Sequence, residues 1–258
     1  MTRLVGFFVC LAALACPPFA FALNVDGLEP SERAQLAAVM QTLTPMIDVK
    51  KSDASANLLS WEDLYVPLDA DGRAFLDAFR ALRAESLGAT SRYFGEVDLA
   101  TTHIAIIERQ TIDKDGHPTP LDQQYLPANV LSAYQDMMQA MEHGIGTSLR
   151  IESGYRSPAY QLYLFLFYLP KHGYSIRETN RFVALPGHSE HGAIQRQAID
   201  FIDEHGINGE DHPEEFEALP EYAWLQAHAA QFGFFLSYPR DNPDHTSFEP
   251  WHWHYENR

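Results

Sequence analysis

Both cysteines of this 258-residue chain, Cys10 and Cys16, lie in a short apolar segment at its N-terminus. Residues 1–22 carry a basic residue, Arg3, near their start and end in Ala-Phe-Ala, the small-x-small pattern that precedes signal-peptide cleavage. We therefore expect export, to a periplasmic compartment, and a mature chain that starts at Leu23. That chain has no cysteine, so it has to fold around a hydrophobic core, without disulfides or thiolate metal ligands.

Two other interpretations of the N-terminal segment remain open. It could form a buried helix, or Cys16 could carry a lipid anchor because small residues precede it, although Ala13 stands where a bulky aliphatic residue is usual. The apolar run is too short to span a bilayer comfortably, and no later stretch reaches about 18 uninterrupted apolar residues. We therefore expect no transmembrane segment in the mature chain.

The composition is typical of a globular protein and argues against one class of partner. Hydrophobic residues make up 46% of the chain, enough for the core of one large domain, or of one domain with an appendage. Asp and Glu outnumber Lys and Arg by 35 to 18, which gives a formal net charge of −17. Because phosphate backbones are bound by clustered Lys and Arg, this charge argues against nucleic acid as a partner.

The pattern of apolar residues divides the mature chain into two regions. Residues 23–102 predict a mainly helical region, with helices over 30–46 and 71–86. Residues 103–258 alternate helices with short strands in irregular order, which favours an α+β fold with a small antiparallel sheet flanked by helices. In this second region we expect helices over 128–143, 158–168 and 222–231, and strands over 103–107, 149–151, 197–202, 234–238 and 251–255.

The residues that carry chemistry fall in three short segments, at 153–157, 186–200 and 249–254. Within them, His191, Asp200 and His252 could supply two imidazoles and one carboxylate, which suits a catalytic Zn²⁺ with its fourth position open to water. Zinc would lower the pKa of a bound water and polarise the carbonyl of a bond to be hydrolysed. The sheet would then carry this site.

Water activation also needs a base, and Glu249 is the best candidate. It lies three residues before His252, and positions three apart on a strand point to opposite faces, so the chain has to turn between them. Pro250 makes such a turn plausible.

Two further polar residues of these segments could contact a substrate. Arg156 follows a strand in a glycine-containing turn, where its planar guanidinium suits bidentate recognition of a carboxylate, such as a peptide C-terminus. Ser189 could add a hydrogen bond.

Other residues compete for the three ligand positions. His188 is an alternative to His191, Asp203 to Asp200, and His254 to His252. His254 would share a strand face with His252, but Glu249 stands at the required offset only from His252.

Together the three segments resemble the zinc D-alanyl-D-alanine carboxypeptidases of the VanY type, within the wider LAS/M15-like group of metallopeptidases. The family pattern is Ser-Gly-Tyr-Arg-Ser, then Ser-x-His-x-x-Gly-x-Ala-x-Asp, then Glu-Pro-Trp-His, and the match covers roughly residues 103–258. The resemblance implies zinc on His191, Asp200 and His252, Glu249 as the catalytic base, and Arg156 on the substrate carboxylate or the developing oxyanion. It also implies hydrolysis of the terminal D-Ala-D-Ala bond of peptidoglycan stem peptides.

The sequence departs from this pattern between the first two ligands. Residues 192–199 make eight where the family has six, and Arg196 stands two before Ala198, where the family has glycine. Loops absorb length at little cost, so we expect zinc binding to survive, with a reshaped pocket beside the metal. An endopeptidase with the same metal site, and a non-catalytic cell-wall-binding module on the same fold, are the alternative functions.

Overall fold

The computed structural model describes residues 23–88, 92–96, 103–242 and 247–256; the predicted signal segment, residues 1–22, lies outside this part of the chain, as does Cys16. Within these ranges, no helix is both long enough and apolar enough to cross a membrane. The α+β class expected from the sequence is confirmed. The helices are α1 Pro30–Ser52, α2 Trp61–Tyr65, α3 Ala70–Arg80, α4 Ala128–Ile145, α5 Pro158–Tyr168, α6 Ile176–Thr179, α7 Pro213–Glu217 and α8 Pro220–His228. The strands are β1 Ile104–Ile106, β2 Thr111–Lys114, β3 His117–Pro120, β4 Tyr125–Pro127, β5 Arg150–Ser153, β6 Ala198–Ile202, β7 Phe234–Leu236 and β8 His252–Tyr255.

Helix α1 extends beyond the end predicted from the sequence and runs through Pro45 to Ser52. A proline inside a helix removes one backbone hydrogen bond and normally favours a kink or an end. Here the buried residues Leu36, Val39, Leu43 and Ile47 keep the three-to-four-residue spacing on both sides of the proline. Their burial in the core outweighs the lost bond.

The prediction of a helix over residues 71–86 is wrong at its C-terminal end. Helix α3 stops at Arg80, and residues 84–87 form a separate 3₁₀ turn. The start of α3 is fixed by Asp69, whose carboxylate accepts a hydrogen bond from the backbone N–H of Gly72 at 2.8 Å. The C-terminal part of the prediction failed because Leu82 continues the helical spacing of Phe75 and Phe79 although the helix has already ended at Arg80.

Within the described residues, three small antiparallel sheets follow the N-terminal helices. Strand β1 pairs with β4, β2 and β3 form a hairpin, and the largest sheet has four strands in the order β5-β6-β8-β7. In this largest sheet Asp200 lies directly opposite His252, and Ser153 lies opposite Asp200. The register thus places residues from three distant segments side by side across three adjacent strands of the sheet.

Two hydrophobic cores support this arrangement. One lies behind the four-stranded sheet and combines β5, β6 and β7 with α4 and α8. The other combines α1 and α3 with α5, so that Phe79 of α3 meets Phe165 of α5 with ring centroids 6.2 Å apart. Helix α5 therefore packs against the N-terminal helices while its preceding turn lies at the sheet.

Candidate active site and metal centre

Asp200 and His252 meet because they are cross-strand neighbours on β6 and β8. Nδ1 of His252 lies 2.8 Å from Oδ1 of Asp200. The second carboxylate oxygen, Oδ2, lies 3.0 Å from Nε2 of His191. One carboxylate therefore bridges the two imidazoles.

His191 reaches the same point from a 3₁₀ turn, Glu190–Gly192. Its Nδ1 lies 2.7 Å from the carbonyl oxygen of Gly154, and since a carbonyl can only accept, Nδ1 carries the proton. Nε2 is therefore the free lone pair; it is fully buried and makes no well-aligned hydrogen bond among the described residues. Burial, and then the nearby charge of Arg156, lower the pKa of His191 to about 4. A neutral imidazole with its lone pair aimed inward is the form that binds a metal.

The three predicted ligands lie close enough to share one ion. In the part of the chain that the structure describes, His191, Asp200 and His252 form the one group of His, Cys, Asp or Glu whose donor atoms all lie within 4.8 Å of one another. The buried Nε2 of His191, which makes no well-aligned hydrogen bond among the described residues, and the nitrogen/oxygen donor set both fit a zinc ion. The structure thus supports the zinc cofactor predicted from the sequence.

His252 is held by carboxylates on both of its nitrogens. Nε2 lies 3.1 Å from Oε2 of Glu190, on the side opposite Asp200. Burial disfavours the imidazolium, but the Asp200 charge and the hydrogen bonds to Asp200 and Glu190 outweigh it and raise the pKa of His252 to about 10. A metal ion at Nδ1 would take the place of one proton, while Glu190 continues to accept the other.

Glu190 is the site residue that sequence reasoning missed. Its side chain is 5% exposed, and it orients His252 in the way that carboxylates orient histidine ligands in metal sites. Burial acts against ionisation, but the His252 imidazole and the Ser237 hydroxyl lower the pKa of Glu190 to about 2. The only sequence signal was its position next to His191.

Glu249 lies in the turn before β8, as its proposed role requires. The backbone N–H of His252 donates to the carbonyl of Glu249 at 3.2 Å, which closes the turn through Pro250. Oε2 of Glu249 then lies 3.8 Å from Nδ1 of His252. Burial raises the pKa of Glu249 to about 7, with His252 opposing and the Asp200 charge adding to the rise. A carboxyl group with such a pKa exchanges protons readily near neutral pH.

Arg156 and Ser189 line the same cleft, which has a volume of about 1380 Å³. The turn of Arg156 is joined to the first ligand, because its backbone N–H donates to the carbonyl of His191 at 3.1 Å. Nε of Arg156 is buried without a hydrogen-bond partner among the described residues. Ser189 is the residue before the 3₁₀ turn and is 8% exposed.

The three competing ligands have other contacts. The His188 ring packs edge-on against Tyr93, with centroids 5.2 Å apart. The carboxylate of Asp203 accepts backbone hydrogen bonds within its own turn, from Ile207 at 2.7 Å for example. Nδ1 of His254 pairs with the Ser237 hydroxyl at 2.8 Å.

The sequence also matches a known family directly. The family model of VanY, described as D-alanyl-D-alanine carboxypeptidase, matches residues 123–258, which is more than half of the chain. The chain belongs to the VanY family. The resemblance inferred from the three motifs is confirmed. The matched range contains every ligand, base and substrate-contact residue considered above.

The chain is also similar in sequence to individual proteins that are named as carboxypeptidases. The chain is 29% identical over 141 residues to the bifunctional D-Ala-D-Ala dipeptidase and D-Ala-D-Ala carboxypeptidase VanXYC of Enterococcus gallinarum, over 51% of this chain and 67% of the relative. It is 31% identical over 137 residues to the putative carboxypeptidase YodJ of Bacillus subtilis (strain 168), over 52% of this chain and 48% of the relative. The chain thus spans about two thirds of one relative and about half of the other.

Solved structures give weaker likenesses. A Zn(II) complex of a mutant VanY D,D-pentapeptidase from a VanB-type resistance cassette has a TM-score of 0.44 at 22% identity, over 67% of this chain and 88% of the other. The LdcB LD-carboxypeptidase has a TM-score of 0.44 at 29% identity, over 51% of this chain and 59% of the other.

Proposed function

We propose that this protein is an exported zinc carboxypeptidase that removes the terminal D-alanine from peptidoglycan stem peptides ending in D-Ala-D-Ala. The observation that carries the proposal is the arrangement in one cleft of three features: the ligand group, the partly buried carboxyl of Glu249 3.8 Å from His252, and a guanidinium with a free donor. Membership of the VanY family supports the same reaction.

His191, Asp200 and His252 would hold the zinc, which when bound polarises the scissile carbonyl and lowers the pKa of water. Glu249 would take the proton of the attacking water and pass it to the leaving amine. Its pKa of about 7 suits both transfers, because neither protonation state is strongly favoured near neutral pH.

Arg156 would recognise the carboxylate at the end of the substrate. Its buried Nε lacks a partner among the described residues, so an incoming carboxylate would supply the acceptor that the folded chain leaves out. Ser189, in the cleft wall two residues before the first ligand, would donate a further hydrogen bond to the peptide.

An endopeptidase is the second candidate, favoured by the length of the cleft. The cleft continues from the ligand group past Tyr160 to Tyr168 and Phe182, which is more room than a terminal dipeptide fills. A peptide that continued beyond the cleaved bond would not need the Arg156 contact.

One assay separates these reactions. Purified protein is incubated with a pentapeptide ending in D-Ala-D-Ala, with and without a chelator, and the products are identified by mass spectrometry. We expect loss of one alanine, only without chelator, and much slower cleavage of the same peptide with a C-terminal amide. Internal cleavage, or equal rates on acid and amide, would favour the endopeptidase; chelator-resistant turnover would contradict the zinc mechanism.

Export rests on residues 1–22 and has its own test. Expression of the full chain in a Gram-negative host, followed by fractionation and N-terminal sequencing, should give a periplasmic protein that starts at Leu23. A cytoplasmic protein that keeps Met1 would contradict the export proposal and leave the catalytic one standing.

A further inference from the structure

The loop that departs from the family pattern places a charged residue beside the metal site. Arg196 ends the 3₁₀ turn Ile194–Arg196 between the first two ligands, where the family has glycine. Its Nε donates to Oε1 of Glu190 at 2.6 Å, and another nitrogen of the same guanidinium donates to the carboxylate of Glu256. The guanidinium thus bridges two carboxylates, one buried and one about half exposed.

Glu190 transmits this contact to the metal site. Oε1 accepts from Arg196, while Oε2 accepts from the hydroxyl of Ser237 and from Nε2 of His252. Both oxygens of this buried carboxylate are therefore occupied, and the direction of its plane is fixed from two sides. A buried carboxylate that loses its cationic partner is costly, and it turns toward water where it can.

We propose that Arg196 is a positioning residue for the ligand His252: it holds Glu190 against Nε2, and so keeps Nδ1 of His252 turned toward Asp200 and the metal. The inference rests on the proposed function, because it assigns Nδ1 of His252 to the zinc. Glycine at this position has no side chain, so the contact is a feature that this chain adds to the family pattern. The longer loop is then part of the metal site's support.

The geometry of arginine explains why this residue type is needed. A guanidinium presents several N–H donors in one plane and can bond two carboxylates at once. Lysine has a single ammonium group on a flexible stem and would keep the charge but not the two-sided contact. Glutamine would remove the charge and leave Glu190 with only the Ser237 hydroxyl and the His252 imidazole among the partners described above.

The test is zinc affinity, measured by competition with a fluorescent chelator for wild type, Arg196→Gln and Arg196→Lys. Loss of an outer-shell partner typically weakens metal binding by about 10–100-fold. We expect a loss of about tenfold or more for Arg196→Gln and a smaller loss for Arg196→Lys. The matched control is Arg73→Gln, which removes the same charge from a side chain that bonds the backbone carbonyls of Tyr65 and Val66, and it should bind zinc like wild type.

A second readout separates positioning from general loosening of the fold. The visible absorption spectrum of the Co²⁺-substituted protein reports the ligand geometry, and it should change in Arg196→Gln and not in Arg73→Gln. If Arg196→Gln does not fold, the comparison of Arg196→Lys with the control decides. Wild-type affinity and spectrum in the Arg196 variants would overturn the inference, whereas absence of D-Ala-D-Ala hydrolysis by a zinc-binding wild type would instead overturn the proposed function.

Discussion

Glu249 can serve as a base only because a turn brings it to the same side as His252. The chain reverses through Pro250, and the two side chains end 3.8 Å apart although they are three residues apart in sequence. The sequence contained this requirement, since a regular strand would have put Glu249 on the other face.

Replacing Glu249 by glutamine should keep the zinc and lose the reaction. Glutamine has the same shape but cannot take a proton, so we expect kcat to fall by about a hundredfold or more. Zinc content, measured by elemental analysis, should stay at the wild-type level because Glu249 is not in the ligand group. Glu210→Gln, an exposed carboxylate in the wall of the same cleft, is the control and should stay active. Near wild-type turnover of Glu249→Gln would exclude it as the base.

Glu152, which the proposed mechanism does not use, should make stability depend on pH. Burial raises the pKa of this carboxyl to about 7, with the Asn208 hydrogen bond opposing and the nearby acidic groups adding to the rise. The folded protein therefore holds a proton on Glu152 that the unfolded chain releases near pH 4.5. Stability from this group is greatest at low pH and is lost as the pH rises from about 4.5 to about 7.

Glu152→Gln should consequently unfold at a higher denaturant concentration than wild type at pH 8, and at the same concentration as wild type at pH 4. We expect a gain of roughly 1–3 kcal/mol in the free energy of unfolding at pH 8. Denaturant melts with excess chelator measure it without interference from metal. The exposed Glu85→Gln should show no such difference, and an equal gain at both pH values would contradict the assignment to Glu152.

At the scale of elements, a short segment of the N-terminal region holds the loop that leads to the first ligand. The backbone N–H of Phe94 donates to the carbonyl of Gly187 at 2.8 Å, and the Tyr93 ring packs on His188. Gly187 has a φ of +77°, and a Cβ there would lie 2.4 Å from Cε2 of Tyr93. Glycine is thus required both for the backbone conformation and for the close approach.

Gly187→Ala should therefore harm both stability and activity. Gly173→Ala is the matched control, because Gly173 has a φ of +65° but has no neighbour within 4 Å of the added Cβ. Both variants carry the backbone strain of about 1–3 kcal/mol, whereas only Gly187→Ala displaces Tyr93 and moves the loop. We expect kcat/KM to fall in Gly187→Ala alone, and to recover in part when Tyr93→Ala is added. Equal kcat/KM in the two glycine variants would contradict the role of this contact.

The sequence predicted that the long helices exist, although not always where they end, and it missed the shortest ones. Helix α5 begins and ends where the sequence places it, at Pro158 and Tyr168, because Ser157 caps it, proline occupies its first turn, and eleven mostly apolar residues are long for a buried strand. Helices α2, α6 and α7 were not predicted, since four or five residues are too few to show any period.

The sequence predicted those residues of the site that belong to the three motifs. His191, Asp200 and His252 converge as the three segments indicated. Glu190 and Arg196 were not assigned roles, because their part depends on the register of β6 and β8 and on the path of an inserted loop, which only the three-dimensional structure defines.

At the scale of the whole molecule, the N-terminal helices support the catalytic half from two directions. They share a core with α5, through contacts such as that of Phe79 with Phe165. The connection between α1 and α2 also holds the turn that follows Arg156. The backbone N–H of Ser157 donates to the carbonyl of Asn57 at 2.9 Å, and its hydroxyl donates to the carbonyl of Leu59 at 2.6 Å. The helical region is therefore a structural partner of the site.

A chain that starts at residue 103 should consequently fail to fold, although it contains the whole family match. Removal of the N-terminal helices would expose Leu162, Phe165 and Leu166 of α5, and each loses roughly 1.5–3 kcal/mol of burial energy. Size-exclusion chromatography and thermal melts should show aggregation and no cooperative transition, and the fragment should be protease-sensitive. The chain 23–258 with Glu249→Gln is the control, because it lacks the proposed base but keeps both cores. A monomeric, cooperatively melting fragment that binds zinc would show that the two cores are independent, and that α5 does not need the helices that cover it.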